Sequence, residues 1–321
     1  MEAAERELFE RSVRAAVDRA AGADLAGELA VLGWHEALEA DRPTAVGVLF
    51  EACGELGGRP PVGELMAAEL RPEPATARCP LLLPMVGEVD PPGRRERDRA
   101  IVRGILPASA ADVSGVLVPV SGNGGVELVV VESHELEHGP ALPLDPSLGW
   151  RTVGGELGAR ESRPAVDVTA SWANAHTLGQ LALAHALVGA SRRLLELARV
   201  HALERVQFGR PIAAFQAVRH RLADGLVATD AAAESVEAAW ELATPAAAAA
   251  AKAIAGSAAR RVGRHAQQVL AGMGFTAEHP LPALVRRTLV LDQMLGSAAA
   301  LTRAIGEELL AARDLPAPLP L

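Results

Sequence analysis

The sequence predicts a mainly α-helical protein with a small β domain: an N-terminal helical domain, a middle β-barrel-like domain and a C-terminal four-helix bundle. Three observations carry the prediction. Half of the 321 residues are apolar, chiefly Ala, Leu and Val. Apolar positions recur at the spacing of a helix face over residues 1–78 and again from 166 onward. Between these stretches, short β-branched runs are separated by Gly- and Pro-rich turns.

Each element follows in order. Leu8, Val13 and Val17 share one face of a first helix. "PTAVGVLFEACGEL" starts a clear helix near Pro43, "PPVGELMAAEL" gives another, and the Pro-rich "LRPEPATARCP" closes the unit at residue 78. The second unit, 79–165, holds strands at 99–106, 115–120 and 126–132, with a Ser-Gly-Asn-Gly-Gly hairpin turn at 121–125. In the third unit, 166–321, Leu187, Ala190, Leu194 and Leu197 line one face of a helix, and Arg192, Glu196 and Arg199 fall on another. A second helix carries Phe215, Val218, Leu222, Val236 and Trp240; an Ala-rich third covers 246–270; a fourth covers 282–312. Short connections make these an antiparallel bundle. The tail "LPAPLPL" reads as a frayed end.

Composition excludes several functions. The formal charge is −9, tyrosine is absent, and Lys252 is the only lysine. Arginines are spread along helices and no basic stripe interleaves with aromatics, so nucleic acid is not an expected partner. No apolar run is long enough to span a bilayer, and "MEAAERELFE" does not resemble a secretory signal, so a cytoplasmic location is expected. Cys53 and Cys79 give no disulfide framework and no metal spacing; both are expected as small core residues.

The informative stretch is "RVQFGRPIAAFQAVRHRLAD", from Arg205. Arg205 ends a long amphipathic helix, a Gly-Arg-Pro turn follows, and Pro211 is expected to open the next helix, where its missing N–H costs nothing. Arg205, Gln207, Phe208 and Gln216 set a cation, amides and an aromatic ring at one helix end, residue types that suit the pyrophosphate and flat rings of a dinucleotide. Taken singly, each has a plainer reading: a C-terminal Arg favoured by the helix dipole, and a Phe that fills a core. Downstream, "QQVLAGMGFTAEHPL" runs from Gln267 to Leu281, and "LVRRTLVLDQMLGS" follows at unbroken spacing.

Together these stretches and the α–β–α domain order resemble the acyl-CoA dehydrogenase family, a group of FAD enzymes. The second stretch is similar to that family's Gln and Gly-Gly-x-Gly-Phe segment, with Ala271 in place of the first glycine. The motif matches cover 166–310; the first 165 residues match in pattern only and are shorter than the family norm. The resemblance implies that Arg205, Gln207, Phe208 and Gln216 reach the FAD pyrophosphate held by a neighbouring subunit, and that Gln268 and Gly272 contact its adenosine end.

The other half of a flavin site departs from the family. Its Thr-Glu-Pro-x-Ala-Gly-Ser-Asp stretch is replaced by "LLLPMVGEVDPPG", and its Trp-Ile-Thr/Ser segment by "RGILPASAADVSG". Leu82 and Leu83 cannot donate side-chain hydrogen bonds to a flavin edge. The catalytic carboxylate is missing as well. The family's reaction takes a proton α to a thioester while hydride leaves the β-carbon, which requires a poised base. That Glu usually precedes a Gly on the last active-site helix, where this chain has Leu295-Gly296. In some members it lies on the first bundle helix, here Gly179 with Gln180 beside it.

Substitute bases are few. Glu278 matches a structural Glu at a helix start. Asp292 lies about one turn before Leu295 and could face the same pocket, with surface solvation the simpler reading. His176 and His185, on the first bundle helix, read as packed or solvated. His134-Glu-Leu-Glu-His138 matches the H-E-x-x-H zinc string, but it follows a strand and precedes Gly139-Pro140, whereas the mechanism needs a helix; a charged loop is expected and no metal.

By resemblance, the chain is a shortened, non-catalytic subunit of a heteromeric α2β2 acyl-CoA dehydrogenase of the steroid-CoA type. The implied partners are a full-length catalytic homologue, an acyl-CoA thioester and an electron-transfer flavoprotein acceptor. The implied cofactor is FAD, shared across a subunit interface. Two alternatives stay open: a self-sufficient homo-oligomeric enzyme with a displaced base such as Asp292, and a flavin-free scaffold.

Overall fold

A computed structural model describes residues 3–20, 25–70, 79–107, 113–122, 124–158 and 166–313. The Pro-rich segment 71–78, most of "PASAAD" (107–112), Asn123 of the hairpin turn, residues 159–165 and the tail from 314 lie outside them.

Among the described residues, the first helices are α1 (Ala3–Ala20), α2 (Leu25–Val31), α3 (Trp34–Ala40), α4 (Arg42–Leu56) and α5 (Val62–Leu70). The α4 start follows from Asp41, whose carboxylate accepts the Thr44 N–H at 3.2 Å, and from Pro43 in the first turn. It ends at Gly57, where φ is +78°.

Eight strands follow: β1 (Leu83–Pro84), β2 (Gly93–Glu96), β3 (Arg99–Pro107), β4 (Gly115–Gly122), β5 (Gly125–Glu132), β6 (Glu137–Ala141), β7 (Trp150–Gly158) and β8 (Val166–Asp167). They form one sheet in the order β6-β7-β3-β2-β4-β5-β8, with β1 beside β3. The expected hairpin pairs Gly122 with Gly125. Val116, Val118, Val120, Val129 and Val131 pack on one face, as alternation requires, while Leu117 and Leu128 face the main core.

The C-terminal unit consists of α6 (Thr169–Glu204), α7 (Gln216–Leu242), α8 (Pro245–Leu270), α9 (Leu281–Gln293) and α10 (Ala298–Ala312). The single fourth helix expected over 282–312 is therefore two helices. The chain turns through Leu295 and Gly296, with φ of +51° and +98°. Lys252 on α8 stabilises the break, donating from Nζ to the carbonyls of Asp292 (2.9 Å) and Gly296 (2.6 Å). The Asp292 carboxylate accepts the Ala298 N–H at 3.0 Å, and Ser297 caps α10 through the Ala300 N–H. Groups at both new helix ends are thus satisfied.

Small residues let α4 lie against α6. A Cβ on Gly54 would sit 1.9 Å from the Ala186 carbonyl oxygen, and one on Gly189 would sit 2.1 Å from that of Glu51. Beside this crossing, Trp240 donates from Nε1 to His185 Nε2 at 3.0 Å, and His185 Nδ1 lies 3.0 Å from Glu51, which also pairs with Arg192. Burial raises the Glu51 pKa, but His185 and Arg192 outweigh it and hold the carboxyl below its usual value. The three units are tied by Arg287 on α9. Its guanidinium donates to Asp145 at 2.9 Å, Ser147 at 2.8 Å and the Gly58 carbonyl at 3.2 Å.

Candidate functional site

The antiparallel course of the bundle brings the end of α6, the start of α7, the end of α8 and the start of α9 to one end. Arg205 is the C-cap of α6. Pro211 does not open a helix. Val206–Gln207 and Arg210–Pro211 pair as a two-residue hairpin, a 3-10 turn spans Ile212–Ala214, and α7 starts only at Gln216, with Phe215 as its N-cap. Arg205, Gln207, Phe208 and Gln216 are all exposed.

Phe208 does not fill a core. It sits at the hairpin tip, 91% exposed, with φ of +53°. A bulky residue in the left-handed region costs about 1 kcal/mol or more, and an exposed aromatic ring gains nothing from water. Both features sit on one residue, an arrangement that serves binding better than stability. Phe215 stacks edge-on to it at 6.1 Å, and the Arg210 guanidinium lies 4.4 Å from the Phe215 ring centre.

Gln268 and Gly272, at the end of α8 and in the 3-10 turn Ala271–Phe275, are exposed at the same end, and a Cβ on Gly272 would meet nothing within 4 Å. Val206, Met273 and Phe275 add exposed apolar surface, at 54%, 48% and 69%. At the same end His201 has a lowered pKa, first through burial and then through Arg205 and His279, with Glu204 acting the other way. This open face brings together the arginine, amides and aromatic rings that the sequence singled out. Leu81, Leu82 and Leu83, where the family's flavin-edge segment would run, are buried in the cores.

The two positions of the family's base face each other, and both are filled. A Cβ on Gly179 would lie 2.6 Å from Leu295 Cδ1 and 2.7 Å from Met66 Sδ. Leu295 is 2% exposed, and Gln180 donates to its carbonyl at 3.0 Å. Apolar side chains of Leu295 and Met66 thus occupy the space next to the Gly179 Cα, and neither position carries a carboxylate.

Asp292 is not at the surface. It is fully buried and accepts from Arg260 Nε at 3.0 Å as well as from Ala298, so its oxygens are engaged in holding the α9–α10 break. Lys252, also fully buried, is pushed down to about 7, mainly by burial. The His176 pKa falls to about 4 through burial and the nearby Lys252, and its Nε2 has no hydrogen-bond partner among the described residues. His185 has both ring nitrogens engaged. Glu278 is exposed. In the zinc-like string, His134 lies in a 3-10 turn and His138 on β6, against Ser133; among the described residues no group of three ligands could hold a metal. Cys53 is buried, with its thiol pushed up to about 12, whereas Cys79 is half-buried. No helix of the described residues is long and apolar enough to cross a membrane.

Sequence patterns alone did not reveal Met66, Arg260 or the Arg287–Asp145 tie. Lys252 offered a signal: the only lysine among so many arginines marks a place where a compact ammonium is required.

Comparison with known proteins concerns the family and the fold. Residues 171–310 match the acyl-CoA dehydrogenase C-terminal domain. Acyl-CoA dehydrogenase IpdE2 of Mycobacterium tuberculosis is 36% identical over 126 residues, 39% of this chain and 40% of that protein's length. The match therefore spans less than half of that relative. Among solved structures, a variant of the Tcur3481-Tcur3483 steroid ACAD has a TM-score of 0.77 at 22% identity, covering 97% of this chain and 98% of that one. The ChsE4-ChsE5 complex from Mycobacterium tuberculosis gives 0.71 at 21% identity, with 99% of both chains covered. A glutaryl-CoA dehydrogenase from Mycobacterium smegmatis in complex with FADH2 gives 0.70 at 14% identity, with 96% of both covered.

Proposed function

We infer, from a chain whose residues 171–310 belong to the acyl-CoA dehydrogenase C-terminal domain family and whose fold is that of acyl-CoA dehydrogenases throughout, that it is a supporting subunit of such an enzyme. It lacks its own base and completes the FAD site of a different chain. The observation that carries this reading is that Leu295 and Gly179, packed together beside Met66, hold the two positions where the resemblance places the base, and neither is an acid.

In this reading Arg205 supplies charge to the FAD pyrophosphate, bidentately if both forks reach it. Gln207 and Gln216 supply amide donors, Phe208 an aromatic face, and Gln268 with the bare backbone of Gly272 the adenosine contact. FAD, when bound, would accept the hydride that leaves the β-carbon of the acyl thioester. The partner chain would hold the flavin ring and the carboxylate that takes the α-proton. The kinship of fold with a steroid ACAD and with a two-chain complex supports a hetero-oligomer acting on a bulky acyl-CoA, and likeness to a structure of an electron transferring flavoprotein supports such a protein as acceptor.

Co-expression with a full-length acyl-CoA dehydrogenase homologue tests the reading: the yellow, active species should contain both chains. If this chain alone binds FAD and oxidises acyl-CoA, the reading is wrong. A flavin-free scaffold is the second reading. Arg205→Ala separates the two, because a scaffold would keep the complex's colour and a shared flavin site would lose it.

A further inference from the structure

We propose that Glu51, His185 and Trp240 form an acid-sensitive latch, in which a second proton on the His185 ring releases the C-terminal end of α7 from the junction of α4 and α6. The latch lies at the far end of α7 from Gln216 and does not rest on the subunit reading above.

Hydrogen bonding fixes the resting state of the ring. An indole N–H can only donate. Trp240 Nε1 lies 3.0 Å from His185 Nε2, so that nitrogen is a bare acceptor. The single ring proton therefore sits on Nδ1, 3.0 Å from a Glu51 carboxylate oxygen. His185 is 3% exposed, and the neutral ring leaves neither nitrogen without a partner.

A second proton has one place to go, Nε2, where it would face the Trp240 N–H, donor against donor. The two neighbours thus act in opposite senses: Glu51 favours an imidazolium, and Trp240 accepts only the neutral ring. The ring itself is wedged in place. A Cβ on Gly47 would lie 3.1 Å from His185 Cε1, so the α4 backbone closes against the ring edge. Trp240 is held less firmly. It is half-buried, lies three residues before the Ala243 C-cap with φ of +49°, and is followed by Leu242, 65% exposed. The protonated ring is accommodated by departure of the indole, while the tie between α6 and Glu51 on α4 gains charge.

The charges around the ring keep that carboxylate ionised. Arg192 of α6 pairs with Glu51 as well. Across a cleft of about 270 Å³ over the cluster, α1 brings Arg6, Glu10 and Arg14, α4 brings Glu55, which pairs with Arg14, and α7 brings Glu237. Lys252, the buried charge of α8, is bound to the α9–α10 break. Burial of Glu51 is outweighed by His185 and Arg192, which hold its pKa below the usual carboxylate value. Histidine is the side chain whose ordinary titration falls between pH 5 and 8, and over that range the Glu51 acceptor persists.

The test is fluorine-19 NMR of the full chain labelled with 5-fluorotryptophan, titrated from pH 8 to pH 5. The chain has four tryptophans, and the line lost in Trp240→Phe is that of Trp240. The expected result is a titration step of the Trp240 line, with a larger H2O/D2O isotope shift below the step because the indole has moved into water. The step should vanish in His185→Gln, whose amide keeps a donor for Glu51 and an acceptor for Trp240 but does not titrate. In Glu51→Gln, which removes the charge that favours the imidazolium, the midpoint should fall by about one pH unit; this variant keeps the latch testable if His185→Gln does not fold. The proposal is overturned if the Trp240 line does not titrate above pH 5, if it titrates equally in His185→Gln, if the midpoint is unmoved in Glu51→Gln, or if the step brings no gain in the isotope shift. A simultaneous change at the fully buried Trp150 would report acid unfolding of the whole chain and also overturn it.

Discussion

Replacing Asp292 by Asn separates a structural carboxylate from a displaced catalytic base. The change removes a charge that is 1% exposed at the side chain, while Arg260, 34% exposed, keeps its own. Breaking a buried pair by removing one partner costs about 3–5 kcal/mol, and the partial hydration of Arg260 brings the expected cost toward ~3 kcal/mol. Asn retains an acceptor for the Ala298 N–H, so the break between α9 and α10 should survive. With an unfolding entropy of roughly 2.1 cal/mol/K per residue, 321 residues give about 0.7 kcal/mol/K, and the melting temperature should fall by about 4 °C. The assay is differential scanning fluorimetry of the assembled complex, paired with steady-state turnover of an acyl-CoA below the transition. The structure predicts a lower melting temperature with kcat within about twofold of wild type. Loss of a general base costs about 10²–10⁴-fold in rate. Such a loss at an unchanged melting temperature would refute the assignment of Asp292 to the α9–α10 break.

Further predictions concern packing and protonation. Gly179→Ala should destabilise toward the low end of about 1–3 kcal/mol, because its methyl would meet the flexible ends of Leu295 and Met66; Leu295→Ala in the same chain should recover part of that loss, read as a coupling energy from denaturant melts. Gly54→Ala should do more damage, since the obstacle is the Ala186 backbone, and should lower soluble yield as well as melting temperature. Lys252 titrates at 10.5 when unfolded and at about 7 when folded, so between those values the unfolded chain binds more protons and stability rises with pH. The charged form is penalised in full below about pH 7, at most by about 5 kcal/mol. The wild-type stability should therefore rise from pH 7 to 10 relative to Lys252→Met, whose own stability is lowered at every pH by two orphaned carbonyls. Equal pH slopes for the two proteins would contradict a buried, titrating Lys252.

The division between sequence and tertiary structure follows from range. Helical periodicity, the β-rich middle and the Gly-Asn-Gly-Gly turn are local signals, and they placed α4, β3, β4, β5, α7 and α8 close to where they lie. The string from Arg205 to Gln216 picked out residues that the fold leaves exposed at one end of the bundle, because each is a choice of side-chain type at a chain position. Local propensity could not show the break of the fourth helix. "LVLDQMLGSAAAL" is helix-forming throughout except at Gly296, and what turns it is an ammonium on α8, more than thirty residues away in sequence. The same holds for Asp292, for which surface solvation was the simpler reading and which is instead buried against α8. The absence of an acid at Leu295 and Gly179 was legible in the sequence. That the two positions meet, and that Met66 closes the space between them, depends on the crossing of α5, α6 and the α9–α10 turn. The sequence by itself determined which groups the chain offers; the tertiary structure decided which of them are spent on holding the fold together and which remain free to bind, because burial and pairing are properties of neighbours that no local stretch contains.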